Sequence, residues 1–310
     1  MYTILGAGGA IATEFAKVLF KNNTPFTLVS RNPHSIYGGL TLAADLTSRN
    51  QTDEVIKGSS VVLLCPGLKY DLEIWKKHWP LIMTNTIEAC KKYNARLIFF
   101  DNVYMLGAVS GPMTEDTPYN PVSEKGVVRR QLAEQLMNEV HNGKLTAMIA
   151  RAADFYGPKC KTSMLNIMVF DKLAKKKKAQ WLLNDEVVHS FTFSPDCGEA
   201  LWILSNSEDA WNQVWNMPTA RPPLNGKELI RISAKVFAAK PKYSMVGKGM
   251  VGFLGVFIKL MREMKEMLYQ YDTDYIFDST KFEKAFNFTP TSYERGIEIS
   301  AASYGDATSS

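Results

Sequence analysis

Tyr2-Thr3-Ile4-Leu5-Gly6-Ala7-Gly8-Gly9-Ala10-Ile11-Ala12 stands near the start of the chain, and its reading decides the fold. Tyr2 to Leu5 is a short apolar run of strand type, and Ile11, Phe15, Val18 and Leu19 recur at helical spacing behind the glycines. Strand, glycine turn and amphipathic helix therefore follow one another directly. Glycine suits such a turn because the backbone adopts unusual angles and must come close to a diphosphate, whose charge is then held by free N–H groups at the helix start. Gly6, Gly8, Gly9, Ala10 and Ile11 are the candidate diphosphate-binding residues. Ala12 occupies the position where a third glycine often permits close helix packing, and alanine is small enough there.

Asn22-Asn23-Thr24-Pro25 ends the helix, and Phe26 to Val29 forms a second strand that runs into Ser30-Arg31-Asn32-Pro33. The end of this strand is where an adenosine ribose is met in such folds. A carboxylate would bond the two ribose hydroxyls of NAD and repel a 2′-phosphate, whereas Ser30 and Arg31 offer a hydroxyl and a guanidinium suited to that phosphate. NADP is the expected cofactor, with NAD as the alternative. A glycine run alone is equally an ordinary tight turn, and Arg31 alone equally a solvated arginine. Position, spacing and the basic cap together select nucleotide binding.

Further apolar runs lie at Leu40 to Ala44, Val61 to Cys65, Arg96 to Phe100 and Leu145 to Ile149, with helix-like segments between several of them. This alternation predicts an α/β fold with a doubly wound parallel sheet, a Rossmann fold. Ligands of such sheets lie beyond the carboxyl ends of the strands, which directs attention to Asp45-Leu46, Pro66-Gly67, Asp101-Asn102 and Arg151.

Composition narrows the classes. The 310 residues are 46% hydrophobic and 22% charged, with a net charge of +5, an ordinary globular balance that calls for no nucleic-acid partner. Cys65, Cys90, Cys160 and Cys197 are widely spaced and have no CxxC or nearby histidine cluster, so neither a metal site nor a disulfide framework is indicated. A reducing, cytoplasmic setting is expected. Met1 leads straight into the first strand, and no export signal is expected. Gly249 to Ile258, the longest weakly polar stretch, is about half the roughly 20 residues that span a bilayer, and no membrane partner is expected.

The glycine turn, Asp45-Leu46, Cys65-Pro66-Gly67, Val103-Tyr104 and Arg151 with Phe155-Tyr156-Gly157-Pro158 resemble the extended short-chain dehydrogenase/reductase superfamily, which includes the NAD-dependent epimerases and dehydratases. His189-Ser190-Phe191-Thr192-Phe193-Ser194-Pro195-Asp196 resembles the segment where the family's chain returns to the sheet, and Asp278 to Lys281 and Phe286 to Pro290 resemble its C-terminal segment. The resemblance implies that Asp45 contacts the adenine, that Leu46 packs on the ring, and that the backbone of Cys65, Pro66 and Gly67 passes beside the nicotinamide ribose. A loop cap at Asp45 and a bare turn at Pro66-Gly67 are the plainer alternatives. Asn102, Asp154 and Tyr156 are the implied substrate contacts, while Arg151 and His189 are read as structural hydrogen-bonding residues.

The family's YxxxK pair is missing where the resemblance puts it. In Asn120-Pro121-Val122-Ser123-Glu124-Lys125-Gly126-Val127-Val128-Arg129, Lys125 falls at the tyrosine position and Arg129 at the lysine position, and the usual serine region reads Phe99-Phe100-Asp101-Asn102. Neither an amine nor a permanently charged guanidinium imitates a phenol tuned toward neutrality. This marks an atypical branch with a non-standard acid/base group: Tyr104 or Lys125, with Asp101 as electrostatic partner and Arg129 holding an anionic group. The alternative sets Tyr104 under the sheet edge and Lys125 and Arg129 on a solvated helix face.

The expected organisation is a dinucleotide-binding domain over 1–158, to which 185–220 returns, a smaller substrate lobe from 159–184 and 221–304, and a flexible tail over 305–310. The Lys175 to Lys178 run reads as a solvated helix end. Met245, Met250, Met261, Met264 and Met267 make 244–271 methionine-rich, and Met261, Met264, Leu268 and Tyr271 predict a core-facing helix, with an apolar substrate wall or dimer contact as the alternative. Two functions fit: an NADP-dependent oxidoreductase or epimerase/dehydratase-like enzyme acting on a small carbonyl or hydroxyl compound, or a catalytically silent NADP(H) sensor. The resemblance implies a homodimer through the helices bearing Glu88 and Gln131.

Overall fold

A computed structural model describes residues 1–305. The tail expected over 305–310 falls outside the described residues except for Gly305, which closes the helix Tyr293–Gly305. The chain divides into two compact units. Met1–Met105, Glu124–Ala152 and Cys197–Met217 form the first, and Leu106–Ser123, Ala153–Asp196 and the described residues from Pro218 onward form the second.

The first unit is built on seven strands: β1 (Tyr2–Leu5), β2 (Phe26–Ser30), β3 (Leu40–Ala43), β4 (Val61–Leu64), β5 (Arg96–Asp101), β6 (Ala147–Arg151) and β7 (Val214–Asn216). They lie in the order β7-β6-β5-β4-β1-β2-β3, and every pairing is parallel. The chain runs outward from β1 to β2 and β3 and then returns to β4 on the other side of β1. That reversal is the topological switch point of a doubly wound sheet. Ile4, Leu5, Leu28, Val29, Val62 to Leu64 and Leu97 to Phe99 are buried, as strands covered on both faces must be. At the edge, β3 exposes all four residues, including Leu40 and Leu42.

Helix α1 (Ala10–Lys21) turns Ile11, Phe15, Val18 and Leu19 inward, and left-handed Asn23 follows its end. Helix α2 (Arg49–Ile56) starts at Ser48, whose hydroxyl accepts the Gln51 N–H. Helix α3 (Leu72–Tyr93) starts at Asp71, whose carboxylate accepts the Glu73 N–H, and stops at left-handed Asn94, an arrangement that satisfies its last carbonyls. Helix α4 (Glu124–His141) packs against α3.

The second unit has its own core, in which Tyr156, Phe170, Trp181, Phe191, Phe193, Leu229, Ile230, Tyr293 and Ile297 pack together. Its strands are short pairs: Asp154–Tyr156 runs parallel to Phe191–Phe193, and Ala179–Leu182 parallel to Tyr243–Val246. Here the structure corrects two expectations. Residues 106–123, 153–158, 185–196 and 218–220 belong to the second unit, because Tyr156, Phe191 and Phe193 lie in its core. The segment from His189 to Asp196 pairs with Asp154–Tyr156, and the strand that completes the large sheet is β7. The methionine-rich region is three short helices, Lys248–Phe257, Lys259–Met264 and Lys265–Tyr271, the last of 3₁₀ type. Leu268 and Tyr271 face the core as the spacing predicts, with Met264 packed beside them.

Gly296 lies so close to Tyr156 that an added Cβ would overlap the phenol oxygen. Gly296→Ala is expected to destabilise the protein by about 2 kcal/mol through overpacking, read from its urea unfolding curve. A loss below about 0.5 kcal/mol would show that the Tyr156 ring yields.

Candidate functional site

Gly6, at φ +112°, sits where an added Cβ would come within 2.6 Å of the Pro66 nitrogen and Cα. Only glycine fits this crossing of the first turn and the loop after β4. The Gly6 and Ala7 N–H groups both donate to the Val29 carbonyl, and the Cys65 N–H donates to the Leu5 carbonyl, so the turn is tied to the strands on both sides. Gly8, at φ +94°, has no atom within 4 Å of its Cβ position. Gly9 caps α1 with no side-chain hydrogen bond, and the first turn of α1 has no acidic residue. A helix begun this way has first-turn N–H groups, at Ala10, Ile11 and Ala12, with no acceptor inside the helix. An open glycine beside an uncapped helix start fits a diphosphate.

At the end of β2, Ser30 is half-buried and Arg31 exposed. Hydrogen bonds from the Thr47 amide and hydroxyl hold the Asp45 carboxyl below the usual carboxylate range, and the charges of Arg31 and His78 add to this. Asp45 thus caps its own loop and lies within the field of Arg31. Leu46 is buried, and its carbonyl accepts from Thr52 and Asn85. Burial pushes the Cys65 thiol up to about 12, which leaves it protonated at neutral pH.

Lys125 and Arg129 are both buried on α4, which overturns the alternative of a solvated face. The Lys125 ammonium lies 4.6 Å from the Tyr70 ring centroid, and the Arg129 guanidinium lies 4.2 Å from Trp79 and 4.9 Å from Trp75. Arg129 Nη1 is 3.3 Å from Asp101 Oδ1. Burial pushes the Asp101 carboxyl above the usual range, and the Arg129 charge opposes that shift. Burial also lowers Arg129, but an arginine starts so high that it stays protonated. Its charge is committed to Asp101 and to tryptophan faces, where a cation is held by the ring quadrupole.

Tyr104 is half-buried and stacked on Trp75 at 6.4 Å, and its N–H donates to Asn102 Oδ1. The Asn102 N–H donates in turn to Asp101 Oδ1. Asp101, Asn102, Tyr104, Lys125 and Arg129 are thus drawn together around Trp75 and Trp79. Tyr70, Trp75 and Trp79 went unnoticed in the sequence. The signal that could have found them is aromatic density just after β4 and in the first two turns of α3.

In the second unit, His189 Nε2 lies 3.1 Å from Asp154 Oδ2, and the Tyr271 hydroxyl donates to the same oxygen at 3.0 Å. The His189 ring is stacked between Tyr271 and Tyr275, with centroids 4.5 and 4.4 Å away. His189 is therefore a packed hydrogen-bonding residue, and it orients Asp154. Tyr156 corrects another expectation. It is fully buried against Phe170, Phe193 and Tyr293, burial raises its phenol well above the ordinary value, and its side chain serves the core rather than a substrate.

Residues 2–217 match the model of the NAD dependent epimerase/dehydratase family, and the chain belongs to that family. Solved structures agree on the fold. The UDP-glucose 4-epimerase of Thermotoga maritima, with UDP-glucose, is 15% identical at a TM-score of 0.81, over 99% of this chain and 100% of that one. The Thermus thermophilus UDP-glucose 4-epimerase complex with NAD is 14% identical at 0.80, over 99% and 100%. The Bacillus cereus UDP-glucuronic acid 4-epimerase complex with NAD is 16% identical at 0.78, over 99% of both chains. No curated protein matches the sequence.

Removing one partner of the Asp101–Arg129 pair leaves the other buried without compensation. Arg129→Met is expected to cost about 3–5 kcal/mol in chemical denaturation, and Arg129→Met combined with Asp101→Asn to recover part of it. A single-variant loss under about 1 kcal/mol would show that solvent reaches the carboxylate.

Proposed function

We propose that the chain is an enzyme of epimerase/dehydratase type that uses a nicotinamide dinucleotide, preferentially NADP(H), on a small compound bearing a carbonyl or secondary hydroxyl. The observation that carries the reading is the uncapped start of α1 behind open Gly8, with Ser30 and Arg31 at the neighbouring strand end. The NAD complexes among the fold's neighbours support the cofactor class, and Arg31 supports its phosphorylated form. Gly6, Gly8, Gly9, Ala10 and Ile11 would hold the diphosphate, Ser30 and Arg31 the 2′-phosphate, and Cys65 to Gly67 the nicotinamide ribose. When bound, the dinucleotide supplies or accepts a hydride.

Tyr104 is the proton-carrying residue in this proposal. It is half-buried, held by its stack on Trp75 and by Asn102, and close enough to Arg129 to interact with it electrostatically. Positive charge beside a phenol favours proton release. Arg129 supplies that charge, and Asp101 acts through Arg129 as a positioning residue. Asp154 is the second unit's proposed substrate contact. A silent NADP(H) sensor is the second reading, and it is favoured by the enclosure of Lys125 where the family carries its tyrosine. Pairing of two copies through the faces bearing Glu88 and Gln131 is the proposed assembly.

Calorimetry is expected to show NADPH binding that weakens at least tenfold in Arg31→Ala, with NADH binding changed less than twofold. Equal loss for both dinucleotides would remove the 2′-phosphate from the proposal. With a compound that supports NADPH oxidation, Tyr104→Phe is expected to lower kcat about 100-fold at unchanged NADPH affinity. Unchanged turnover would remove Tyr104, and tight binding without turnover across aldehydes, ketones and sugar nucleotides would favour the sensor.

A further inference from the structure

The helix Lys248–Phe257 has two unlike faces. Val251 and Gly255 are buried, and Val251 packs with Leu182, Val246, Leu268 and Tyr271. On the other side, Met250, Phe253, Val256 and Phe257 are exposed, the last three at 69%, 71% and 75%. The Phe253 and Phe257 rings meet edge to face at 5.7 Å, so they form one apolar surface. Gly255 lets the next helix close in, its Cβ position being 3.2 Å from the Arg262 backbone, and Ile258 and Leu260 extend the exposed surface. Soluble surfaces scatter single apolar side chains, whereas six large ones gathered on a helical hairpin mark a docking site.

Charge selects the occupant. Between Glu228 and Glu263 the sequence carries seven cations, Arg231, Lys235, Lys240, Lys242, Lys248, Lys259 and Arg262, and no carboxylate. All seven are exposed. Lys248 is paired with Asp272 at 2.6 Å, but the segment keeps a net positive charge, so a second copy docked face to face would set like charge against like. A surface with dense negative charge over an apolar interior complements both the cations and the phenylalanines.

We propose that this hairpin is a peripheral membrane anchor that inserts Phe253, Val256 and Phe257 into the interface of an anionic phospholipid bilayer, with Lys259 and Arg262 at the headgroups. Spanning length, the reason for expecting no membrane partner, does not bear on a segment lying in the interface. No helix among the described residues is long and apolar enough to cross a membrane, and the proposal needs none.

The test is sedimentation of the full chain with phosphatidylcholine vesicles, with and without 30% phosphatidylglycerol. Binding is expected to the anionic vesicles, to weaken in 0.5 M salt, and to fall at least tenfold in Phe253→Ser/Phe257→Ser. Lys259→Glu/Arg262→Glu should weaken it by at least the roughly fivefold that each basic residue contributes near such a surface. Circular dichroism and the unfolding midpoint of both variants are expected to match the parent, because the changed side chains lie on the surface. Two results would overturn the proposal: no sedimentation with either vesicle, or a dimer in ultracentrifugation that Phe253→Ser/Phe257→Ser dissociates.

Discussion

The crossing of Gly6 over the Cys65–Pro66 backbone is the constraint on which the first unit rests. Two chain segments meet there with no room for a single carbon, and the hydrogen bonds from Gly6 and Ala7 to Val29 and from Cys65 to Leu5 lock the meeting place to three adjacent strands. Because β1 is where the strand order reverses, this contact also sets where the start of α1 faces. A side chain at residue 6 would move the helix start and the loop after β4 together. Packing and the geometry of the phosphate cradle are thus one constraint.

A second arrangement depends on electrostatics in a dry setting. Asp101 and Arg129 are both buried, and water solvates neither well. The protein compensates with mutual attraction, the Asn102 amide and the faces of Trp75 and Trp79. Such a pair contributes little net stability, but it is costly to break, and this gives it a role as a register pin. It fixes α4 against β5 and so fixes Lys125 over Tyr70. Lys125 is thereby held, buried, over the face of an aromatic ring.

Much of the first unit was legible because its signals are local. The strand, the glycine turn, the spacing of Ile11, Phe15, Val18 and Leu19, and the apolar runs all act within a few residues. The aromatic surroundings of Lys125 and Arg129 were not legible, because Tyr70, Trp75 and Trp79 arrive from a different loop and helix more than 45 residues away. The same holds for His189, whose stacking partners Tyr271 and Tyr275 come from the far end of the chain. Tyr156 misled for another reason. Its position in a motif suggested a ligand contact, but motif position does not reveal which face of a three-residue strand meets the core. At Asp45, the plainer alternative of a loop cap is the one the hydrogen bonds display.

The open edge at β3 bears on how the protein behaves when concentrated. Leu40 and Leu42 stand beside unpaired backbone groups, a combination that invites another chain to add a strand. Only four residues make up that edge, and Arg31, His34, Arg49 and Asn50 flank it in sequence. So short a template offers few hydrogen bonds to a newcomer, and its brevity is the safeguard against runaway self-association that its apolar side chains fail to provide.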